Sequence, residues 1–505
     1  MSRPARSWFL AWALPVAALS GAAWALAAPP VGWAWLGWVH LAPALVGMAL
    51  AQTPWRRGLV GYTTGAGLLV AVCAWMPATV ERFAGLPPYA AVAVLALYVA
   101  VFALPWAGLG LAIAPLRARF GAHWVWAAAV VWVALEYLLP STFRFFLGSV
   151  HYREPWVWQL AAVVGPLGVS ALAVSTAAAL AELVLARRER RGPPVATGVE
   201  LGAVWAATLA FGAWREATVE AGLARSPVVR VAYVQRAELP PRRERGMAAL
   251  RDWARRSRAV LAAQPPSARP ELVVWPESAF LPNPAEGEAR RELAAFAAGE
   301  HVALLLGAGT TEPGRETNSV YLFLPDGTVG GRYDKQALLP FAEGVPSGLG
   351  WARAWVPQLG ALAAGEETVV FAASSFTFTA PICYEAVLAE QVRAMDDADL
   401  LVNVTNDAWF GASQAPHLHA MLAAAAAMTS GRPLLRVAYT GASGLVEPHG
   451  AIVQPADLGT DAGTVVAVRL GAVEAPARTW GAGFGPGAVV IAAGLVFASA
   501  HKRSG

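Results

Sequence analysis

Long apolar stretches fill the first two-fifths of the chain and then stop. Segments 8–28, 31–51, 58–78, 88–114, 123–139, 157–186 and 198–214 each approach or exceed the length that crosses a bilayer, roughly 20 residues. An eighth, 486–500, lies near the C-terminus. Between the seventh and the eighth the pattern changes. Short β-rich runs at 228–235, 271–275, 301–306, 320–324, 368–371, 376–382, 400–404, 443–446 and 463–468 alternate with helical stretches at 243–263, 288–299 and 417–430. Polar turns such as Pro325-Asp-Gly327 and Glu447-Pro-His-Gly450 separate them. Strands that alternate with helices predict a layered α/β structure. Three parts are therefore expected: a transmembrane helical domain of about seven helices over 1–225, an α/β domain over 226–477, and a closing membrane helix over 478–505. Segment 8–28 follows Arg3 and Arg6 as a signal peptide would. More helices follow at once and no cleavage site stands out, so a retained helix is expected.

Composition agrees with a membrane protein. The chain is 56% hydrophobic, has 22 Trp and carries 14% charged residues, against about 25% in soluble domains. A net charge of +4, dispersed along the chain, argues against a nucleic-acid partner. Two cysteines exclude a disulfide scaffold and a Cys-rich metal site. Basic clusters set the orientation. Arg3 and Arg6 precede the first span, Arg56 and Arg57 follow the second, and Arg117 and Arg119 follow the fourth. Arg187, Arg188, Arg190 and Arg191 follow the sixth, and Lys502 and Arg503 close the chain. If the spans alternate, all five clusters share one side, which is the cytoplasm by the positive-inside rule. Both termini are then cytoplasmic and the α/β domain lies outside, in the periplasm of a two-membrane bacterium.

Three motifs in that domain follow strand-like runs. Val273-Val-Trp-Pro-Glu277 ends a strand in proline and sets a carboxylate on the loop beyond it. Tyr333-Asp-Lys-Gln-Ala-Leu-Leu-Pro-Phe-Ala-Glu343 brackets an apolar stretch with Lys335 and Glu343. Phe376-Thr-Phe-Thr-Ala-Pro-Ile-Cys-Tyr-Glu385 ends a strand at Cys383, a thiol without an obvious disulfide partner. A general base, a cation for an oxyanion and a nucleophile are what covalent acyl transfer requires. Three other features have milder readings. Glu136 is an acid in a membrane segment, near its outer end, which suits a structural or headgroup-contact role. The arginines at 251, 255, 256 and 258 form a solvated helix face. His417 and His419 lack a third ligand at metal-site spacing.

Trp275-Pro-Glu, then Tyr-x-Lys-x-x-Leu-x-Pro-Phe-x-Glu343, then Ile382-Cys-Tyr-Glu resembles the nitrilase (carbon–nitrogen hydrolase) superfamily. With Asn403-Val-Thr-Asn-Asp-Ala-Trp-Phe-Gly411, Gly431-Arg-Pro-Leu-Leu-Arg436 and the helices, the chain is similar to the apolipoprotein N-acyltransferase family over nearly its whole length. The resemblance implies a fold: a transmembrane bundle of about eight helices plus a nitrilase-like α-β-β-α sandwich. It implies Glu277 as general base, Lys335 as oxyanion stabiliser and Cys383 as nucleophile. Glu343 would orient the lysine, and Tyr384 and Glu385 would flank the thiol and shape the pocket. Asn406, Trp409 and Phe410 would line the site. A phospholipid acyl donor, a diacylated apolipoprotein acceptor, the bacterial inner membrane, no cofactor, no metal and a monomeric chain are the remaining expectations. The alternative is a membrane-tethered amidase or nitrilase that hydrolyses a small amide with the same three residues.

Overall fold

The computed structural model describes residues 3–139, 141–241, 244–346, 348–354 and 360–501. The basic pair Lys502 and Arg503, and the first residue of the helix expected at 243–263, lie outside the described residues. The chain divides into two compact units, one of Met1–Glu216 with Ala475–Gly505 and one of Ala217–Glu474.

The first unit is helical. Among the described residues five helices are long and apolar enough to cross a membrane, or six if the pair Pro54–Val72 and Met76–Ala84, bent by 55°, counts as one span. Two expected spans are interrupted. Segment 31–51 breaks into Trp35–Val39 and Ala42–Leu50, and 157–186 begins with two one-turn helices before Pro166–Arg188. The second break is local chemistry: Gly165 sits at φ +70 and Pro166 starts the next helix, as the two residue types favour. Small residues let the helices approach closely. A Cβ on Gly61 would lie 2.1 Å from the Trp106 carbonyl oxygen. At one end of this unit Arg117 pairs with Glu182 at 2.9 Å and Glu189 at 2.7 Å, and Arg191 pairs with the same two acids.

The second unit is a sandwich of two six-stranded sheets. The strands are β1 (Val228–Gln235), β2 (Leu272–Phe280), β3 (Ala303–Glu312), β4 (Arg315–Phe323), β5 (Val329–Asp334), β6 (Phe371–Ala372), β7 (Thr377–Thr379), β8 (Leu400–Thr405), β9 (Leu434–Ala438), β10 (Gly444–Val446), β11 (Ile452–Val453) and β12 (Ala462–Arg469). One sheet runs β12-β1-β2-β3-β4-β5 and the other β11-β10-β9-β8-β7-β6. In each, the central pairs are parallel and the flanking ones antiparallel. The pleat sorts the side chains by a period of two. Val231, Tyr233, Leu272, Val274 and Leu305 meet Phe378, Ile382, Leu400, Val402 and Leu435 in the core between the sheets. Ala232, Val273, Trp275, Leu304 and Leu306 point the other way, onto the helices Met247–Ala262 and Gly287–Glu300 through Trp253, Leu293 and Phe296. The arginine face of the first of these helices is spent on ion pairs: Arg251 with Glu288 and Glu292, Arg256 with Asp252 and Asp461, Arg258 with Glu300.

One local expectation fails. Glu277 is not on a loop past its strand; β2 continues through Trp-Pro-Glu to Phe280. Its pairing with β3 lapses after Trp275↔Leu306 and resumes at Phe280↔Ala308. Residues 276–279 therefore bulge opposite the single residue Gly307. A bulge asks for no ladder N–H, so Pro276 is tolerated inside a central strand. The bulge sits hard on β3: a Cβ on Gly307 would lie 2.5 Å from the Glu277 Cα and from the Pro276 oxygen. Backbone cannot yield cheaply there. Gly307→Ala should destabilise the protein by about 1–3 kcal/mol, as overpacking does, and displace Glu277. Thermal melts and thiol-alkylation rates at Cys383 should both change; an unchanged pair would show that the bulge adapts.

Candidate active site

Four chain segments deliver the site. The β2 bulge carries Glu277, buried at 3% exposure. Lys335 follows the last residue of β5 and is held on both sides: its N–H donates to Asn318 O at 2.8 Å, and its carbonyl accepts from Gly365 N at 2.8 Å. Glu343 lies in the next turn and accepts from Leu339 N at 2.8 Å. Cys383 opens a 3-10 turn (Cys383–Val387) just after Ile382, which bridges to Val404 of β8.

The polar atoms converge. Lys335 Nζ contacts both Glu343 oxygens, at 2.8 and 2.7 Å, and stands 3.7 Å from Glu277 Oε1. Asn318 of β4 donates its Nδ2 to Glu277 Oε1 at 2.6 Å and to Glu343 Oε1 at 3.0 Å. The thiol of Cys383 interacts with the Glu277 carboxylate and with Thr405. Lys335 is 1% exposed, while Cys383 retains partial access.

Burial and mutual charge set the ionisation. Burial pushes the Glu277 carboxyl above the usual carboxylate range; Lys335 pulls it back and Glu343 adds to the rise. Burial also works against Glu343, but the Lys335 ammonium outweighs it and holds that carboxyl below the usual range. Burial opposes the charge on Lys335, yet Glu343, Cys383 and Glu277 together keep the ammonium more basic than a free lysine. Burial pushes the Cys383 thiol up, and the Glu277 charge adds to that. The site thus favours a protonated thiol, a firmly held ammonium and an ionised Glu343, and makes Glu277 the more basic of the two carboxyls.

The backbone is strained at the same place. Ser278 (φ 59), Phe341 (φ 66) and Cys383 (φ 53) are left-handed non-glycine residues. One follows Glu277, one lies between Lys335 and Glu343, and one bears the thiol. Each costs about 1–3 kcal/mol, and such strain concentrates at functional sites.

Glu385 braces the site from one residue beyond Tyr384. Its buried carboxylate accepts from Tyr333 Oη (2.7 Å), Gln336 N (2.7 Å), Ala337 N (3.0 Å) and Ile382 N (2.7 Å). It therefore ties the Lys335 segment to the Cys383 turn. Tyr384 is half-buried beside the thiol. Asn406, buried, accepts from Ala408 N and caps the turn Asp407–Phe410. Trp409 on that turn is 39% exposed, and Phe410 meets His419 edge-on with centroids 6.2 Å apart.

Sequence reasoning missed the support behind the thiol. Asn403 of β8 donates to Pro381 O at 3.0 Å and Cys383 O at 3.3 Å. Arg436 of β9 donates to Asn403 Oδ1 at 3.0 Å and to Asp407 Oδ2 at 2.6 Å. Asp407 Oδ1 meets His419 Nδ1 at 2.8 Å, so His419 serves a buried ion pair. Asn318 was missed too: it lies in the polar first half of β4, Arg315-Glu-Thr-Asn-Ser319, whose last three residues are buried. The Glu385 brace generates a prediction. Glu385→Ala strands three N–H groups and a phenol, and each unsatisfied buried donor costs about 1–3 kcal/mol. The purified variant should melt many degrees lower, whereas Tyr333→Phe, which removes one donor together with part of the bond network, should cost about 1 kcal/mol.

Comparison with known proteins adds to this geometry. The family model "Apolipoprotein N-acyltransferase N-terminal domain" matches residues 20–179, and "Carbon-nitrogen hydrolase" matches residues 230–478. An apolipoprotein N-acyltransferase of Geobacter metallireducens is 30% identical over 97% of this chain and 95% of its own. The enzyme of that name from Rhizobium rhizogenes is 31% identical over 88% of this chain and 87% of its own. Among solved structures, a carbon-nitrogen hydrolase from Helicobacter pylori G27 aligns with 50% of this chain and 93% of its own, at 16% identity and a TM-score of 0.38. Matched at both its helical and its α/β part, and along nearly its full length, the chain belongs to the apolipoprotein N-acyltransferase family.

Proposed function

We propose that this protein transfers a fatty acyl chain from a membrane phospholipid to the N-terminal amine of a diacylglyceryl-cysteine apolipoprotein, through a thioester on Cys383. The observation that carries the reading is the pairing, in one chain, of the apolipoprotein N-acyltransferase helical domain with a Glu277–Lys335–Cys383 cluster. An amide hydrolase would use the same cluster but has no need of the helices.

In the first half-reaction Glu277 takes the thiol proton and Cys383 Sγ attacks the ester carbonyl. Lys335 holds the oxyanion with nearby backbone N–H groups; a pre-placed donor of this kind contributes about 3–4 kcal/mol. The C–O bond breaks, Glu277 returns the proton to the departing lysophospholipid, and the acyl chain stays on sulfur. In the second half-reaction the acceptor amine attacks the thioester. Glu277 takes the amine proton, the C–S bond breaks, and the proton goes to the sulfur. Glu343 keeps Lys335 charged and in place throughout. This is covalent catalysis with ping-pong order. The basic clusters support an inner-membrane topology with both termini in the cytoplasm and the α/β domain in the periplasm. A monomer suffices, because one chain carries the whole cluster.

Two experiments test the proposal. Membranes holding the wild-type protein and a radiolabelled phospholipid should form a hydroxylamine-sensitive acyl-enzyme, and Cys383→Ala should form none and fail to rescue cells depleted of their own N-acyltransferase. An acylated Ala variant would refute the assignment. The rate should also depend on pH. Glu277 must be ionised to act, so activity falls as pH drops through its raised pKa, above the ~4.3 of a free glutamate. Asn318 favours the ionised form. Asn318→Ala should move the acid limb of kcat/KM to higher pH by about one to two pH units, since a hydrogen bond to a charged group is worth roughly 1.5–3 kcal/mol and one unit is about 1.4 kcal/mol.

A further inference from the structure

The helical unit carries a large apolar groove that the chemistry described above does not use. Three helices wall it: Leu104–Phe120, Trp124–Leu138 and the closing helix Gly481–His501. Small residues from each, among them Gly108, Ala112, Ala134, Ala492 and Ala493, leave a gap of about 540 Å³. Leu111, Leu138 and Val496 on its lining are exposed. Among the described residues Ser499 is the one polar side chain on the lining, and its hydroxyl already donates to Leu495 O at 2.7 Å. The groove lies on the opposite face of the helix Trp124–Leu138 from Glu136, whose Oε1 accepts from Leu147 N at 2.8 Å.

Such a gap does not stay empty in a bilayer. A void forfeits the contacts of its lining, and water finds no free polar partners on these walls. The occupant that the chemistry admits is hydrocarbon, and the dimensions fix how much of it. The lining runs from Gly108 to Leu116 on one helix and from Val489 to Ser499 on another. At the helical rise that is about 12–15 Å, close to half of the ~30 Å hydrocarbon thickness. At a liquid share of about 30 Å³ per water-sized group, the gap holds about 18 methylene-sized groups. Depth and volume both describe one lipid acyl chain from one leaflet.

The two ends of the groove differ. At one, the closing helix presses on its neighbour: a Cβ on Gly485 would lie 2.3 Å from Tyr137 Cδ2. The other end is cationic. Arg119 shares a helix face with Gly108, Ala112 and Pro115, at i+11 against i, i+4 and i+7. It is exposed and sits over the Phe120 ring at 5.4 Å, and no carboxylate pairs with it among the described residues. Arg117, two residues away, is tied to Glu182 and Glu189. Lys502 and Arg503 follow the closing helix in the sequence. A guanidinium at the mouth of an acyl-chain groove complements the phosphate of a lipid whose headgroup carries net negative charge, and repels an ammonium headgroup.

We infer that the groove between these three helices holds one acyl chain of an anionic glycerophospholipid, with the lipid phosphate at Arg119, and that this lipid packs the closing helix onto the bundle. The lipid comes from the leaflet on the side of the basic clusters. It is a structural ligand and not a substrate. The inference does not depend on the acyl-transfer reading, because it concerns other residues and is read by binding.

The test uses the full-length Cys383→Ala protein in detergent, where no turnover consumes lipid. Native mass spectrometry would compare phosphatidylglycerol with phosphatidylethanolamine of identical tails. The expected result is retention of one phosphatidylglycerol at least about tenfold over the ethanolamine lipid, a difference of ~1.4 kcal/mol. Ala493→Phe fills the groove and Arg119→Gln removes its cation; added to the same protein, each should abolish the preference. Arg187→Gln, at an exposed cation that does not line the groove, should keep it. Equal retention of the two lipids, or a preference that survives either groove variant, would overturn the site. Loss of the preference in Arg187→Gln as well would assign it to diffuse surface charge and overturn the site equally. Should Ala493→Phe not fold, thermal melts are read instead. Phosphatidylglycerol should raise the melting temperature of the parent protein and not that of the Arg119→Gln variant. An equal rise in both, or a rise in neither, refutes the inference.

Discussion

One buried ammonium holds the α/β site together. Lys335 is 1% exposed and stands between two carboxylates and a thiol. An isolated charge at that depth would cost several kcal/mol, so its partners cannot be spare. They are also unequal. Glu343 contacts the ammonium through both oxygens and is kept ionised, while Glu277, at 3.7 Å, receives the weaker share and is left more basic by burial. Two glutamates of identical chemistry thus separate into a counter-ion and a proton acceptor because of their distances from one lysine. Asn318 bonds both, so the spacing between them is fixed from β4.

That arrangement requires strands from both sheets to bring strained residues to one point. The left-handed residues Ser278, Phe341 and Cys383 persist because their surroundings over-determine them. Glu385 pins the exit of β5 to the turn after β7 with four donors. Asn403 holds the Cys383 carbonyl from below, and Arg436 holds Asn403. Gly307 lets the β2 bulge rest on β3. Glu385, Asn403, Arg436 and Gly307 act through these contacts alone; each removes a freedom that the thiol turn would otherwise have.

The sequence made some of this legible, and the reason it did not reveal the rest is physical. Apolar length and the switch to alternating runs exposed the two-part layout, since burial in lipid and burial in a sandwich leave different periods. β1, β8 and β12 were readable because their patterns are unbroken. β5 was not: Val329-Gly-Gly-Arg-Tyr-Asp334 has two glycines and two charges in six residues, and β4 and the inter-sheet packing of Tyr333 make it a strand. β9 was hidden for a related reason, because Arg436 interrupts its apolar run, and only the buried Asp407 opposite explains an arginine there. Pro276 misled in the other direction. Proline ends a regular central strand, but a bulge is invisible to period-two reasoning. Glu277, Lys335 and Cys383 carried their own signal as reactive groups in or just after apolar strand-like runs. Their supports did not, since Asn318, Asn403 and His419 take meaning only from what they touch.

The same contacts bind the aromatic turn to the nucleophile. Asp407–Phe410 presents Trp409 outward, yet its first residue is the anion that Arg436 and His419 both grip. Arg436 in turn holds Asn403, whose amide bonds the carbonyl of Cys383. Phe410 closes the loop by packing on His419. A buried ion pair of this kind is costly to break, on the order of 3–5 kcal/mol when one partner is lost. The turn and the thiol therefore cannot shift independently: any displacement of Trp409 large enough to move Asp407 must either break that pair or carry Asn403 with it. The loop beside the thiol and the strain on the thiol are two ends of one hydrogen-bonded chain, which ties whatever contacts the aromatic turn to the geometry of the attacking sulfur.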